Sequence, residues 1–168
     1  PEPLMHEWLL PVCSPGHLSR EKAEFASLAG CRLLLNAPDG RDWKLWAREL
    51  PYPLSGLDDG LKAAMRLPPD PAAIEMALAG FGVALANVHY IQKPLRDGAL
   101  VPAIAIGPIK LGAHYVFRHA PQKPAVRVFV KWVRAAASAS ETDAALETAG
   151  VKATSHLRRG SDAGEHRR

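Results

Sequence analysis

The sequence predicts an α/β domain built on a mostly parallel sheet. Three observations carry that reading. Short apolar runs alternate with stretches of helical periodicity from residue 8 to about 135, the pattern of strands joined by crossover helices. One run, Val83-Ala84-Leu85-Ala86, is apolar without a break, as suits a parallel strand covered on both faces. The chain has 168 residues, 48% of them hydrophobic, enough for a single domain that needs neither disulfide nor metal to hold its core.

Taken in order, Trp8 to Cys13 reads as a strand ended by Ser14-Pro15-Gly16. Pro11 lacks a ladder donor, which predicts an edge or crossover position for it. Ser19 is placed to cap a helix carrying Phe25, Leu28 and Ala29 on one face, and Gly30 stops it. Cys31 to Leu35 is a buried strand closed by the turn Asn36-Ala37-Pro38-Asp39-Gly40. In Arg41–Leu50 the residues Trp43, Trp46, Ala47 and Leu50 recur at i, i+3, i+4 and i+7, one face of an amphipathic helix that Pro51 and Pro53 end.

Asp58 and Asp59 sit between glycines and read as a solvated turn before a weak strand at Lys62–Leu67. Asp70 as N-cap and Pro71 as first helical residue open the next helix, which runs to Gly80. After Val83–Ala86 come a brief helical segment near Val88–Gln92, a turn at Arg96-Asp97-Gly98 and a strand at Ala99–Ala103. Leu111–Phe117 is a longer strand, and Pro124 opens a last helix through Val126, Phe129, Val130 and Val133.

Charge and composition exclude several classes. The longest apolar stretch, Ala77–Ala86, holds ten residues, whereas a membrane-spanning helix takes about 20. The first residues show no basic n-region followed by an apolar h-region. Two cysteines without a partner pattern fit a reducing compartment. The net charge of +4 comes with a basic cluster at the far end, Lys152 to Arg168, in a segment poor in large apolar residues. That segment is expected to be a solvated tail rather than a nucleic-acid arm.

Candidate chemistry is thin. Cys13 and His17 have a nucleophile–base spacing, but nothing nearby lowers the thiol pKa or orients the imidazole, and Cys13 reads as a buried inert thiol. His114 and His119 flank a strand end without a carboxylate at ligand spacing, and Gly80-Phe81-Gly82 follows a helix instead of opening one. No metal or cofactor is expected. Trp43 and Trp46 are either core or one wall of a cleft. No set of residues supplies nucleophile, base and orienting group together.

The ordered motifs carry more. Leu9-Leu10-Pro11-Val12-Cys13-Ser14-Pro15, Leu28 with Cys31 to Leu35, and Asp42-Trp43-x-x-Trp46 come first. Ala77-Leu78-Ala79-Gly80-Phe81-Gly82-Val83-Ala84-Leu85-Ala86, Leu95-x-x-Gly98-x-Leu100-Val101-Pro102, His114-Tyr115-Val116-Phe117 and Phe129-Val130-Lys131-Trp132-Val133 follow. In this order they resemble the effector-binding domain of LysR-type transcriptional regulators. The Asp-Trp-x-x-Trp and Gly-Phe-Gly-Val-Ala-Leu pieces look most like the branch of the glycine-cleavage activator and β-lactamase activator.

The resemblance implies a fold similar to type-II periplasmic binding proteins, with a mostly complete lobe two and a remnant of lobe one. Residues 1–137 would be a partial effector-binding domain, with about 10–112 in lobe two and 113–137 returning to lobe one. Residues 138–168 would be a polar, basic, disordered tail. The family's helix-turn-helix has no counterpart here, so DNA contact is expected only through an N-terminal domain that this chain lacks. A cytoplasmic, homo-oligomeric, non-enzymatic regulator fragment that takes a small-molecule effector between two lobes is expected.

By the same resemblance, the effector site would use the turn at Asn36 and Ala37, Trp43 beside it, the helix start at Asp70, Pro71 and Ala72, and Tyr115 from the returning strand. Asp70 brings a negative charge and Pro71 removes an N–H, so a carboxylate is disfavoured at that helix start and a neutral or cationic group is favoured. Two rivals remain: a solute-binding component of a transporter with a similar fold, and a small α/β enzyme using Cys13.

Overall fold

The computed structural model describes residues 3–18, 28, 30–51, 53–54, 56–67, 70–117 and 123–140. The elements in chain order are β1 (Pro3–Cys13), β2 (Leu33–Leu35), α1 (Arg41–Arg48), α2 (Leu57–Lys62), β3 (Met65–Arg66), α3 (Asp70–Leu78), β4 (Val83–Asn87), α4 (Val88–Arg96), β5 (Val101–Pro102), β6 (Ile109–Tyr115) and α5 (Pro124–Ser140). The helix expected from Ser19 lies largely outside the described residues, as do His119 and the tail from 141 onward.

The fold is α/β, with one mixed sheet in the order β3-β2-β4-β1-β5 and with β6 also on β1. β2 pairs in parallel with β3 and β4, whereas β1 pairs antiparallel with β4, β5 and β6. Among the described strands, β1 therefore runs against all the others. The sheet is mixed because its centre is this one reversed strand.

The centre is also where the sequence reading of Pro11 has to be corrected. β1 is no edge strand: β4 lines one of its sides, and β6 and β5 share the other. Ala103 N donates to Pro11 O over 2.9 Å. In an antiparallel strand the N and C=O of one residue point the same way, so the Pro11 nitrogen also faces the β5/β6 side. There β6 begins, with Ile109 opposite Leu9, and β5 ends, with Pro102 opposite Val12. The missing donor falls at the joint between two neighbours, where no ladder bond is lost.

Alternation along the strands divides the core into two layers. Leu33, Leu35, Val83, Leu85 and Cys13 face one side, with Trp43 and Trp46 of α1 packed on them. Leu34, Ala84, Ala86, Leu10 and Val12 face the other, against Ala73 and Ala77 of α3 and Val88 and Ile91 of α4. This period of two, buried on both faces, follows from a sheet covered by helices above and below. The two indole rings of α1 meet edge to face with centroids 6.0 Å apart, a geometry worth about 0.5–1.5 kcal/mol beyond area burial.

Several boundaries differ from expectation. Leu57–Lys62 is a helix where Asp58-Asp59-Gly60 suggested a turn. Leu57 and Leu61 are drawn onto the core, and Asp59 pairs with Lys62 one turn on at 3.1 Å. Only Met65–Arg66 of the expected strand at 62–67 is extended. α4 continues to Arg96 through Pro94. β6 begins and ends two residues earlier than expected, and α5 runs to Ser140, so the boundary set at 137 falls inside a helix.

α5 is seated on β1. Val130, Val133, Arg134, Ala137 and Ser140 are its less exposed positions and define one stripe. Val128, Phe129 and Trp132 project away from it, 70%, 59% and 63% exposed.

Candidate functional site

β2 and β4 run in the same direction and the chain leaves both at the same end of the sheet. A cleft of about 730 Å³ opens there, at the carboxyl ends of parallel strands where α/β sheets commonly take ligands. Its first wall is the turn after β2, Asn36 to Asp39, continued by Arg41, Asp42 and Leu45 of α1. Its second wall is the end of β4, Leu85 to Asn87, with Tyr90 of α4 and Ile74 of α3. Glu7 and Leu9 of β1 and Leu111 of β6 complete the lining.

Several polar groups there are held by local structure. Asn36 Oδ1 accepts from Ala37 N at 3.0 Å and Asp39 Oδ1 from Arg41 N at 3.2 Å, so side chains tighten the turn and start α1. Asn87 ends β4 and is the N-cap of α4, its Oδ1 accepting from His89 N at 3.1 Å. With 7% exposure it is the one buried polar side chain among the described residues. Glu7 Oε1 meets His114 Nε2 at 3.1 Å. Its other oxygen lies over Gly112, where a Cβ would come within 2.9 Å of Oε2. A glycine opposite Glu7 in the β1/β6 register therefore makes room for this carboxylate.

Beside the cleft, His89 braces three elements. Its Nε2 lies 3.3 Å from the carbonyl of His6 and its Nδ1 3.1 Å from Ser140 Oγ. A carbonyl only accepts, so Nε2 carries the proton; in the neutral ring Nδ1 then accepts from the serine hydroxyl. β1, α4 and the end of α5 are thus tied at one side chain.

The residues anticipated for the site divide. Asn36 and Ala37 line the cleft. Trp43 does not: it is 1% exposed and belongs to the core under α1, because the face of that helix carrying both indoles points into the sheet. The Trp43 and Trp46 Nε1 atoms have no hydrogen-bond partner among the described residues. Pro71 is exposed and Ala72 half-buried, and the cleft takes Ile74, later on the same helix, rather than either. α3 begins at Asp70, whose side chain lies outside what is described. Tyr115 ends β6 against Phe117, with centroids 6.4 Å apart. It is four residues beyond Leu111, about 13 Å along a strand.

Glu7, Asp39, Asp42, Asn87 and Tyr90 were not anticipated. Only Asn87 had a local signal, as an N-cap residue between an apolar strand and a helix.

Nucleophilic chemistry at Cys13 has no support here. The thiol is 1% exposed, and burial, with the nearby Cys31 adding to it, pushes its pKa up to about 11. It stays protonated, and therefore a poor nucleophile, at neutral pH. Among the described residues no group of three or more His, Cys, Asp or Glu could hold a metal ion, and no helix is long and apolar enough to cross a membrane.

Comparison with known proteins agrees with this architecture. The chain is 28% identical over 141 residues to the HTH-type transcriptional regulator DsdC of Escherichia coli, covering 78% of this chain and 44% of that protein. It is 30% identical over 146 residues to the glycine cleavage system transcriptional activator of Escherichia coli, covering 83% and 46%. The chain thus spans about half the length of these curated relatives. Among solved structures, the AmpR effector binding domain from Citrobacter freundii superposes with a TM-score of 0.62 at 22% identity, covering 82% of this chain and 67% of that one. The effector domain of AmpR of Pseudomonas aeruginosa gives 0.61 at 20%, covering 82% and 65%. These neighbours share the fold, which is that of type-II periplasmic binding proteins. The model of the LysR substrate binding domain matches residues 2–138, and the chain belongs to that family.

Proposed function

We propose that this chain is the ligand-sensing part of a cytoplasmic transcriptional regulator, and that it binds a small-molecule effector in the cleft at the ends of β2 and β4. The observation that carries this reading is the convergence on one cleft of polar groups from β1, the turn after β2, α1 and the β4–α4 junction. Asn36 and Ala37 form part of one wall of that cleft, which supports placing the effector there. The relatives named above support a regulatory rather than an enzymatic role, and the Asp42-Trp43-x-x-Trp46 and Gly80-Phe81-Gly82-Val83-Ala84-Leu85 pieces favour the glycine-cleavage-activator branch. DNA would be contacted through a separate N-terminal domain of a longer protein, and the working unit would be a homo-oligomer. The exposed apolar side of α5 favours such association.

The test is a titration of the isotope-labelled 168-residue chain with a library of small polar molecules of mixed charge, followed by amide resonances. Shifts are expected at Asn36–Ala37 and Ala86–Tyr90. They should vanish in Ala37→Trp, which fills the cleft from a half-buried turn position. Hits that map elsewhere, or that survive Ala37→Trp, would overturn the assignment.

A further inference from the structure

One side chain stands between the cleft and α5. His89 lies between Asn87 and Tyr90 in the chain, and both of these line the cleft. Its Nε2 donates over 3.3 Å to the carbonyl of His6, the residue before the cleft-lining Glu7. Its Nδ1 accepts from Ser140 Oγ at 3.1 Å, at the last residue of α5. Neither His89 nor Ser140 lines the cleft. The imidazole is therefore a bridge beside the site and not a wall of it.

Three features let this bridge carry a change. Both bonds belong to one rigid ring in one tautomer, so a turn of the imidazole that loses one partner misaligns the other. The His6 bond, at 3.3 Å, is longer than the usual N–H···O range of about 2.7–3.2 Å, and a small displacement breaks it. The seat of α5 is also shallow: the helix rests on β1, and Ala137 is the one buried residue among its 17. A helix closed over a deep core absorbs the loss of one hydrogen bond. A helix held along a half-buried stripe opens locally instead.

Resting on the effector-cleft reading above, we infer that His89 is the positioning residue through which occupancy of the cleft controls the seating of α5. An occupant wedged between the Asn36–Asp39 turn and the wall of Asn87 and Tyr90 presses on the first turn of α4. Asn87 is the N-cap there, and its Oδ1 holds His89 N at 3.1 Å, so a displaced wall takes His89 with it. The ring leaves His6 O, the bond to Ser140 goes too, and the last turn of α5 loosens from β1. A ligand shifts such an equilibrium by binding one arrangement better than the other, and the displaced wall is that difference. The helix that responds is the one presenting Val128, Phe129 and Trp132 to solvent. Binding in the cleft thus alters a surface that the cleft itself does not touch.

The experiment fills the cleft covalently. Ala37→Cys puts a thiol on the half-buried turn of the full chain, and N-ethylmaleimide alkylates it while Cys13 and Cys31 stay buried. Hydrogen exchange of the Ala137–Ser140 amides is read before and after labelling, with Val83–Ala86 as the internal reference. Labelling should speed the α5 amides about fivefold or more and leave the reference unchanged. The smaller methylthio adduct from methyl methanethiosulfonate should have a weaker effect in the same direction, and it decides the matter if the larger adduct also speeds the reference. In Ser140→Ala and His89→Phe the α5 amides should exchange fast from the outset and no longer respond to labelling. Ser140→Thr, which keeps the hydroxyl, should keep the response. A purely structural brace would speed exchange in these variants without any response to labelling in the parent. Indifference of the α5 amides to both adducts, or a response undiminished in Ser140→Ala, would overturn the inference. If it falls while the small-molecule library still shifts the cleft resonances, the cleft reading stands alone. If the adducts move α5 while the library is silent, the mechanical coupling stands and the effector reading falls.

Discussion

The sheet flanked by α1 and α3 and the return through β6 and α5 are built from similar residue types and end in opposite states. Around β2 and β4 every apolar side chain finds a layer, and Leu33, Leu34, Val83 and Trp46 are excluded from water almost completely. In α5 only Ala137 of 17 residues is buried. Its second apolar stripe, Ala125, Phe129, Trp132, Ala136 and Ala139, faces outward. Apolar content therefore does not decide burial; the number of elements on which a helix can close does. The first region carries the stability of the described molecule, and the second leaves an apolar face open to solvent.

The largest effect that would sharpen this contrast is expected at α1. Trp46→Ala should cost about 3–5 kcal/mol in denaturant unfolding, against less than about 0.5 kcal/mol for Trp132→Ala on the exposed side of α5. Trp46→Phe should cost clearly less than Trp46→Ala, because it keeps most of the ring volume while both variants remove the indole N–H that has no partner among the described residues. Comparable losses at Trp46 and Trp132 would break the comparison.

Next comes the start of β4. Gly82→Ala would set a Cβ 2.4 Å from the carbonyl of Arg32, which already accepts from Val83 N at 2.9 Å. Backbone cannot swing aside as a side-chain tip does, so a loss of about 1–3 kcal/mol is expected, read as a lower midpoint in urea. The thiol in the same layer gives a smaller, pH-dependent effect. Cys13 has its pKa raised to about 11 from 9.0, so its protonated form is favoured by folding. That contribution is whole below pH 9, fades between 9 and 11, and is absent from Cys13→Ala. The urea midpoint of the parent chain should fall more steeply over that interval than the variant's, while alkylation of Cys13 in the native state stays slow at neutral pH.

The smallest effect on stability should come with the largest effect on association. Phe129→Ser with Trp132→Ser is expected to leave the thermal midpoint within a few degrees and to shift the sedimentation profile toward the smallest species. An unchanged profile would mean that this stripe is not what brings copies together.

How much of this was legible beforehand follows the range of the forces involved. α1 was readable because its burial is written at i, i+3, i+4 and i+7 in one short window, and β4 because four apolar residues in a row leave no polar face. α2 was not, since Asp-Asp-Gly has the composition of a turn and only distant leucine packing makes it helical. The place of β1 depended on where β5 ends and β6 begins, which no window around Pro11 contains. The site was half legible. The Asn36–Ala37 turn came through family resemblance. Glu7 and Asp42 lie far apart in the chain and meet only because the reversed strand runs through the middle.

That reversed central strand also dictates the timing of folding. β1 comes first, yet its partners are Asn87 for Leu9 and Tyr115 for Pro3, roughly 80 and 110 residues downstream. Sequence separations of this size place the sheet among slow-closing topologies. At ~5–20 residues per second on the ribosome, β1 must wait several seconds for β4 alone. During that interval Trp8-Leu9-Leu10 is an apolar, strand-prone segment without neighbours, flanked by Glu7 and Pro11. A charge and a proline at the two ends of such a segment oppose pairing with other nascent chains. The same two residues that shape the finished cleft and sheet therefore guard the strand before either exists.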